Sequence, residues 1–128
     1  IWNRAGNELQ RGELAAIIRL NQSQQHEEAE QRASALIEAA PWFAEAWNQR
    51  AIARFAMRRY AESIHDSHQS LEINPYHFQA AASMGEAYNE LGNAVSALES
   101  FQRALRLNPA LEGVRAQISR LSRIIEEK

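Results

Sequence analysis

The chain has 128 residues, 45% of them hydrophobic, with 14 basic against 16 acidic side chains and a net charge of −2, which suits one domain with a continuous core and lacks the basic excess of a nucleic-acid binder. There is no cysteine, which excludes disulfides, thiolate metal sites and cysteine nucleophiles together. No run approaches the ~18 apolar residues of a membrane helix, so no membrane insertion is expected, a soluble cytoplasmic setting is the default, and an opening Ile1 in place of Met is expected of a piece cut from a longer precursor.

Over residues 2–20, Trp2, Ala5, Leu9, Ala16, Ile17 and Leu20 recur at the spacing of one helical face, and Gly6 and Gly12 weaken that helix without excluding it. The polar run 21–25 interrupts the pattern; Asn21-Gln22-Ser23 is formally a glycosylation sequon, too short to weigh against chance. Ala29, Ala33, Leu36 and Ile37 then mark a second helix, which Pro41 closes. Pro41, Pro75 and Pro109 stand 34 residues apart, a period that points to stacked repeats. In the second block Trp47, Ala51, Phe55 and Met57 predict one helix and Tyr60, Ile64, Leu71 and Ile73 another, with a turn near Arg58-Arg59. The third block presents Met84, Gly85, Ala87, Tyr88 and Leu91, then a Gly92-Asn93 stop and N-cap, then Leu98, Phe101, Ala104, Leu105 and Leu107. Past Pro109, Val114, Ile118, Leu121 and Ile125 alternate with Arg115, Arg120 and Arg123, predicting a closing helix over 112–126 that covers the last repeat.

Gly85, Tyr88, Ala97, Phe101, Ala104 and Pro109, in that order, resemble a tetratricopeptide repeat at nearly every signature position, and Ala46-Trp47-Asn48 and Leu71-Glu72-Ile73-Asn74-Pro75 place the second block beside it. The first block departs most, with Glu13 aligned to Trp47 and Ile17 to Gly85. The resemblance covers residues 10–111. It implies a single domain, 1–128, with a degenerate repeat at 1–43, repeats at 44–77 and 78–111 and a capping helix at 112–126: an all-α, right-handed α-solenoid of three helical hairpins plus a cap, about seven helices.

Small residues at Gly85 and Ala51 let the two helices of a hairpin approach within ~8–10 Å, so Ile17 in the same slot predicts a more splayed first hairpin. Ser63, Ser67 and Ser70 stand where the third block has Ala97, Phe101 and Ala104, a smaller and more polar core; buried hydroxyls can bond back to the preceding turn, and Trp47 is expected to fill the space beside Ser67. Arg50 takes the slot of Met84. A buried guanidinium demands a carboxylate, and Asp66 on the facing helix is the expected partner, with Arg54 and Arg58 continuing the stripe.

Enzymatic chemistry is not expected. His65-Asp66-Ser67 holds triad residue types, but neighbours on a helix point about 100° apart and cannot form a relay. His65 and His68 share a face with no third ligand at usable spacing, and there is no phosphate loop, HExxH or calcium loop; no cofactor and no metal are expected.

In the family, the first helix of each hairpin lines a concave surface that meets the ligand. Carried over by position, this implies Arg11, Leu14, Ile18 and Asn21 from the first block, Glu45, Asn48, Ile52 and Phe55 from the second, Gln79, Ala82, Glu86, Asn89 and Glu90 from the third, and Arg120 and Arg123 from the final helix. Ile18, Ile52 and Phe55 are expected to form a solvent-facing apolar strip. The family's best-known mechanism is a clamp of Lys, Asn and Arg on a chaperone's C-terminal carboxylate; its slots here hold Leu14, Ile18, Gln49 or Ile52, Gln79 and Ser83, so chaperone tails are not expected to bind. The expected function is a scaffold for a partner peptide or helix carrying basic residues toward Glu86 and Glu90, the alternative being self-association, as a homodimer, or a spacer within a larger protein.

Overall fold

The computed structural model describes residues 4–127, with side chains from Glu8 onward. Among these residues are seven α-helices and no strand: α1 (Arg4–Gln22), α2 (His26–Ala39), α3 (Ala44–Ala56), α4 (Tyr60–Ile73), α5 (Phe78–Glu90), α6 (Ala94–Leu107) and α7 (Glu112–Glu126). Trp2 and the side chain of Ala5, expected on the first apolar face, lie outside the described residues, and Leu9 departs from that face, being 75% exposed.

The helices pair in sequence as antiparallel hairpins, and each hairpin packs on the next. Helix α1 also touches α3, and α3 touches α5, whereas α2, α4 and α6 make no comparable contact with one another. A stack whose odd-numbered helices lie closer together must curve with those helices inside. The hairpin of α1 and α2 meets over less of its length than the two that follow, the consequence of burying Ile17 completely where the third hairpin has Gly85. A Cβ on Gly85 would come within 2.8 Å of the Phe101 ring. That glycine lets α5 sit directly on the aromatic ring.

Each hairpin turns through a left-handed residue: Gln24 (φ 63°), Arg58 (φ 64°) and Gly92 (φ 79°). They stand 34 residues apart, like the prolines. Arg58 is therefore not the next step of an α3 stripe; it sits in the turn, exposed, after the helix has ended. Asn93 caps α6 by accepting the Ser96 N–H at 3.2 Å, and this accounts for the sharp restart after Gly92.

Three apolar clusters fill the spaces between hairpins. Ile17, Ala29, Ala33, Leu36, Ile37, Ala46 and Ala53 form the first, Leu71, Ala80, Ala81, Met84 and Ala104 the second, and Ala97, Phe101 and Leu121 the third, where α7 closes the stack. The serines of α4 behave differently from expectation. Ser63 donates to the Ala51 carbonyl (2.8 Å) and Ser70 to the Ala44 carbonyl (2.9 Å), so they bind the facing helix rather than their own preceding turn. Ser100 alone among the buried serines bonds back within its helix, to the Ser96 carbonyl at 2.9 Å. Ser67 Oγ is buried without a partner.

Candidate functional site

The inner face is carried by α1, α3, α5 and α7, and its floor is more polar and more closed than the sequence suggested. Asn21, at the end of α1, donates through Nδ2 to the Gln49 carbonyl (3.1 Å) and to Gln49 Oε1 (2.9 Å), and its Oδ1 lies 3.1 Å from His26 Nδ1. Both amides are buried. Asn21 is thus a tie between the first two hairpins, neither a ligand-facing group nor an accessible glycan acceptor.

Asn48 departs from expectation in the same way. Only 2% of it is exposed, its Nδ2 donates to Glu45 Oε2 at 3.3 Å, and its Oδ1 is buried without a partner. Adjacent odd-numbered helices pack closely enough that a short side chain at this slot falls into the seam between them. The same seam holds a contact that sequence reasoning missed. His77, the residue before α5, accepts the Ala80 N–H on Nδ1 (3.2 Å), which leaves the proton on Nε2 to be donated to Glu45 Oε1 at 2.6 Å. One imidazole caps α5 and links it to α3. The hydrogen bond from His77 outweighs burial and holds the Glu45 carboxyl below the usual carboxylate range. The equivalent cap positions of α3 and α7 are Phe43 and Leu111, which make no side-chain cap, and a histidine in that slot was the available signal.

The apolar strip is half-buried rather than solvent-facing. Ile18, Ile52 and Phe55 are each partly covered, Phe55 by the Tyr60 ring, edge-on at 5.3 Å between centroids. Leu14 packs against the cluster around Ile17. The large apolar side chains that stand most open, Leu9, Trp42, Ile73, Tyr76, Leu91 and Val95, belong to helix ends and turns or, with Leu9, to the first helix.

Toward α7 the inner face becomes charged. Glu90 accepts the Tyr60 hydroxyl at 3.4 Å. Asn89 and Gln117 accept from the Arg120 guanidinium at 3.0 and 2.9 Å, tying α5 to α7. Glu86 forms no hydrogen bond or ion pair among the described residues. It keeps an exposed flank, yet its carboxyl sits among protein atoms, and burial together with the Glu90 charge pushes it above the usual carboxylate range. Arg11, Gln79 and Arg123 are exposed and Ala82 is half-buried.

Behind the inner face lies an ionic network that joins α2, α3 and α4. Arg50 grips Asp66 with Nε and Nη2 at 2.9 and 2.8 Å and donates to Ser34 at 3.1 Å. Arg54 reaches Asp66 (2.9 Å) and Glu30 (2.8 Å), and Arg59 reaches Glu30 (2.9 Å) and Glu62 (2.7 Å). Asp66 is completely buried and accepts from two guanidinium groups. Burial acts to raise the Glu30 carboxyl, and the hydrogen bonds from Arg54 and Arg59 overcome it, leaving Glu30 below its ordinary range. Trp47 lies under Arg50 at 5.1 Å, donates to the Pro41 carbonyl at 2.9 Å and meets His65 edge-on. This network fixes the hairpin and leaves Arg50, Asp66 and Arg54 satisfied by one another.

No group of three or more His, Asp or Glu among the described residues is arranged to hold a metal, and no helix there is long and apolar enough to cross a membrane. The tetratricopeptide repeat family model matches residues 78–111. Among curated proteins, the chain is 34% identical over 82 residues to a TPR repeat-containing protein of Rhizobium etli, covering 64% of this chain and 40% of that protein. It is 29% identical over 93 residues to the Hsp70-Hsp90 organizing protein of Triticum aestivum, covering 73% of this chain and 16% of the other. The chain thus spans less than half the length of these relatives. Among solved structures, the first TPR of Spaghetti (RPAP3) bound to the HSP90 peptide SRMEEVD superposes with a TM-score of 0.87 at 18% identity, over 91% of this chain and 93% of that one. The Yersinia enterocolitica type III secretion chaperone SycD in complex with a peptide of the translocator YopD does so with a TM-score of 0.79 at 17% identity, over 98% and 95%.

Proposed function

Because the chain is a tetratricopeptide-repeat protein, we propose that it is a non-catalytic scaffold whose inner face holds a partner peptide or helix. The observation that carries this reading is the contrast along that face: Asn21, Gln49 and Glu45 are held in ties between hairpins and Asn48 is buried against Glu45 of its own helix, while Glu86 keeps an exposed flank and a carboxyl with no partner among the described residues. A face whose first hairpins bury their amides and whose far end presents an unpartnered carboxylate has a polarity for a ligand to follow. The partner lays apolar side chains along Ile18, Ile52 and Phe55 and basic ones toward Glu86 and Glu90, as an amphipathic helix or an extended segment. Similar folds solved with HSP90 and YopD peptides support a peptide as the ligand class.

Chaperone C-terminal tails are not the proposed ligand. The slots for a clamp hold Leu14, Ile18, Gln49, Ile52, Gln79 and Ser83, of which Gln49 is engaged with Asn21, and the acidic end would repel a terminal carboxylate. Calorimetry with the peptide SRMEEVD is expected to give no binding; a micromolar dissociation constant would overturn this point.

The scaffold reading is tested by selecting binders from a random peptide display on the immobilised chain. Selected peptides should lose binding to a variant with Ile52→Asp and Glu86→Lys, and undiminished binding would remove the inner face as the site. The self-association reading predicts a dimer in light scattering that Phe55→Asp dissolves; a concentration-independent monomer eliminates it.

A further inference from the structure

Glu86 opens onto a cleft of about 390 Å³ between α5, the middle of α6, the α6–α7 loop and the start of α7, lined also by Phe101, Leu111, Gly113, Val114 and Gln117. We propose that this cleft receives one long cationic side chain, lysine or arginine, of the polypeptide held on the inner face. The inference rests on the scaffold reading above and gives a defined socket to one of the basic side chains which that reading directs toward Glu86.

The walls suit the two parts of such a side chain. The half-buried Leu111 and Val114 offer apolar surface to the methylene stem, which long basic side chains bury while their heads seek polar contact. The volume is at the lower end of ligand pockets, ~300–1,000 Å³, the right scale for one side chain and too small for a folded segment. Apart from its chain neighbours and its own helix backbone, nothing among the described residues comes within 4 Å of where a Cβ on Gly113 would stand, so the α7 side of the mouth has room.

The charge at the end of the cleft is negative and uncompensated. Glu86 has no donor among the described residues, Glu90 on the same helix adds its charge, and Glu112 at the start of α7 lines the same cleft. Of the arginines on α7, Arg120 is anchored on Asn89 and Gln117 by three hydrogen bonds and Arg115 on the Pro109 carbonyl, and neither forms an ion pair with Glu86. A partially desolvated carboxylate with no partner is costly, and burial already raises its affinity for a proton. A lysine or arginine head would supply charge and donors at once. An anionic ligand is disfavoured by the same carboxylates, and a metal ion by the lack of further ligands among the described residues.

The test is an NMR titration of the 15N-labelled chain with Nα-acetyl-lysine amide and Nα-acetyl-arginine amide, and with Nα-acetyl-norleucine amide as the uncharged control. The cationic probes should give saturable shifts at the amides of Glu86, Leu111, Gly113 and Val114, the norleucine probe should not, and Glu86→Gln should weaken binding about tenfold, as loss of a charge-assisted bond does. Binding should also weaken as pH falls through the carboxylate range. No saturable shift, equal response to norleucine, or undiminished binding in a folded Glu86→Gln chain would overturn the proposal. Ile52→Asp separates the two readings: it should abolish binding of display-selected peptides while leaving the lysine probe unaffected. Selected peptides that bind the wild-type inner face while the lysine probe does not would sink the cleft and spare the scaffold.

Discussion

The second and third hairpins reach the same backbone arrangement by opposite chemistry. Where α5 and α6 set Met84, Ala97, Phe101 and Ala104 against one another, α3 and α4 set Arg50, Ser63, Ser67 and Ser70, with Asp66 in the slot of Ser100. In the third hairpin an aromatic ring fills the volume beneath a glycine. In the second, two guanidinium groups converge on one buried carboxylate, and serine hydroxyls bond the facing helix. A repeat therefore prescribes a distance between helices and leaves open whether packing or paired charge fills it. The two solutions differ in what disturbs them: apolar packing responds to volume, and the ionic one to the loss of any single member.

The largest expected effect tests that difference directly. Asp66→Ala leaves Arg50 and Arg54 facing each other without their carboxylate and should cost about 3–5 kcal/mol, comparable to the ~3–5 kcal/mol for Phe101→Ala. Urea denaturation checks both, and a loss under about 1 kcal/mol for Asp66→Ala would show that the network is ornamental. The comparison sharpens if the third hairpin's chemistry is moved into the second. The triple change Arg50→Met, Arg54→Tyr and Asp66→Ser installs the residues found one repeat later, and should recover most of that loss or exceed wild-type stability by about 1–2 kcal/mol, since paired buried charges are often replaceable by apolar contacts. Next in size are the turns. Arg58→Gly and Gln24→Gly remove a Cβ from a left-handed conformation and should each stabilise by about 1 kcal/mol, whereas Gly92→Ala should destabilise by a similar amount; thermal melts of the three variants decide this.

The smallest effects are in pH. Glu30 and Glu45 have carboxyls depressed in the folded state, so the stability they contribute is present above the ordinary carboxylate value, 4.5, and is lost as pH falls through their lower folded values. Glu86 has the opposite sign: its raised carboxyl favours the protonated folded chain, so its contribution is fully present below the unfolded value and fades as pH rises through the folded one. At pH 7, Glu86→Gln should raise stability by a few tenths of a kcal/mol, and at pH 4 it should have no effect. A destabilised Glu86→Gln at pH 7 would mean that the carboxylate has a partner in solution.

Helix positions were legible because burial imposes a period that the prolines punctuate. The closing helix was expected over 112–126 and α7 runs Glu112–Glu126. The Arg50–Asp66 contact was legible for a related reason, since a guanidinium in the slot of a methionine has few ways to be satisfied. The inner face was read less well. Asn21 and Asn48 are short and polar, and whether such side chains meet water or a neighbouring helix depends on the inter-helix distance, which no single repeat encodes. The Glu45–His77 bond spans 32 positions and joins two repeats, so it is invisible to any reading that takes repeats one at a time. Of the three left-handed turns, only Gly92 announces itself; Gln24 and Arg58 adopt the same backbone while carrying a Cβ.

Trp47, held between the Pro41 carbonyl, the Arg50 guanidinium and the edge of His65, has a consequence for how the molecule can be watched. The three tryptophans, Trp2, Trp42 and Trp47, all precede α4, while the tyrosines, Tyr60, Tyr76 and Tyr88, follow α3. Indole emission therefore sees only the amino-terminal side of the stack, whereas circular dichroism sees all of it. If the solenoid unzips from that end, the emission will redden before the ellipticity falls; if it opens as one unit, the two curves will coincide.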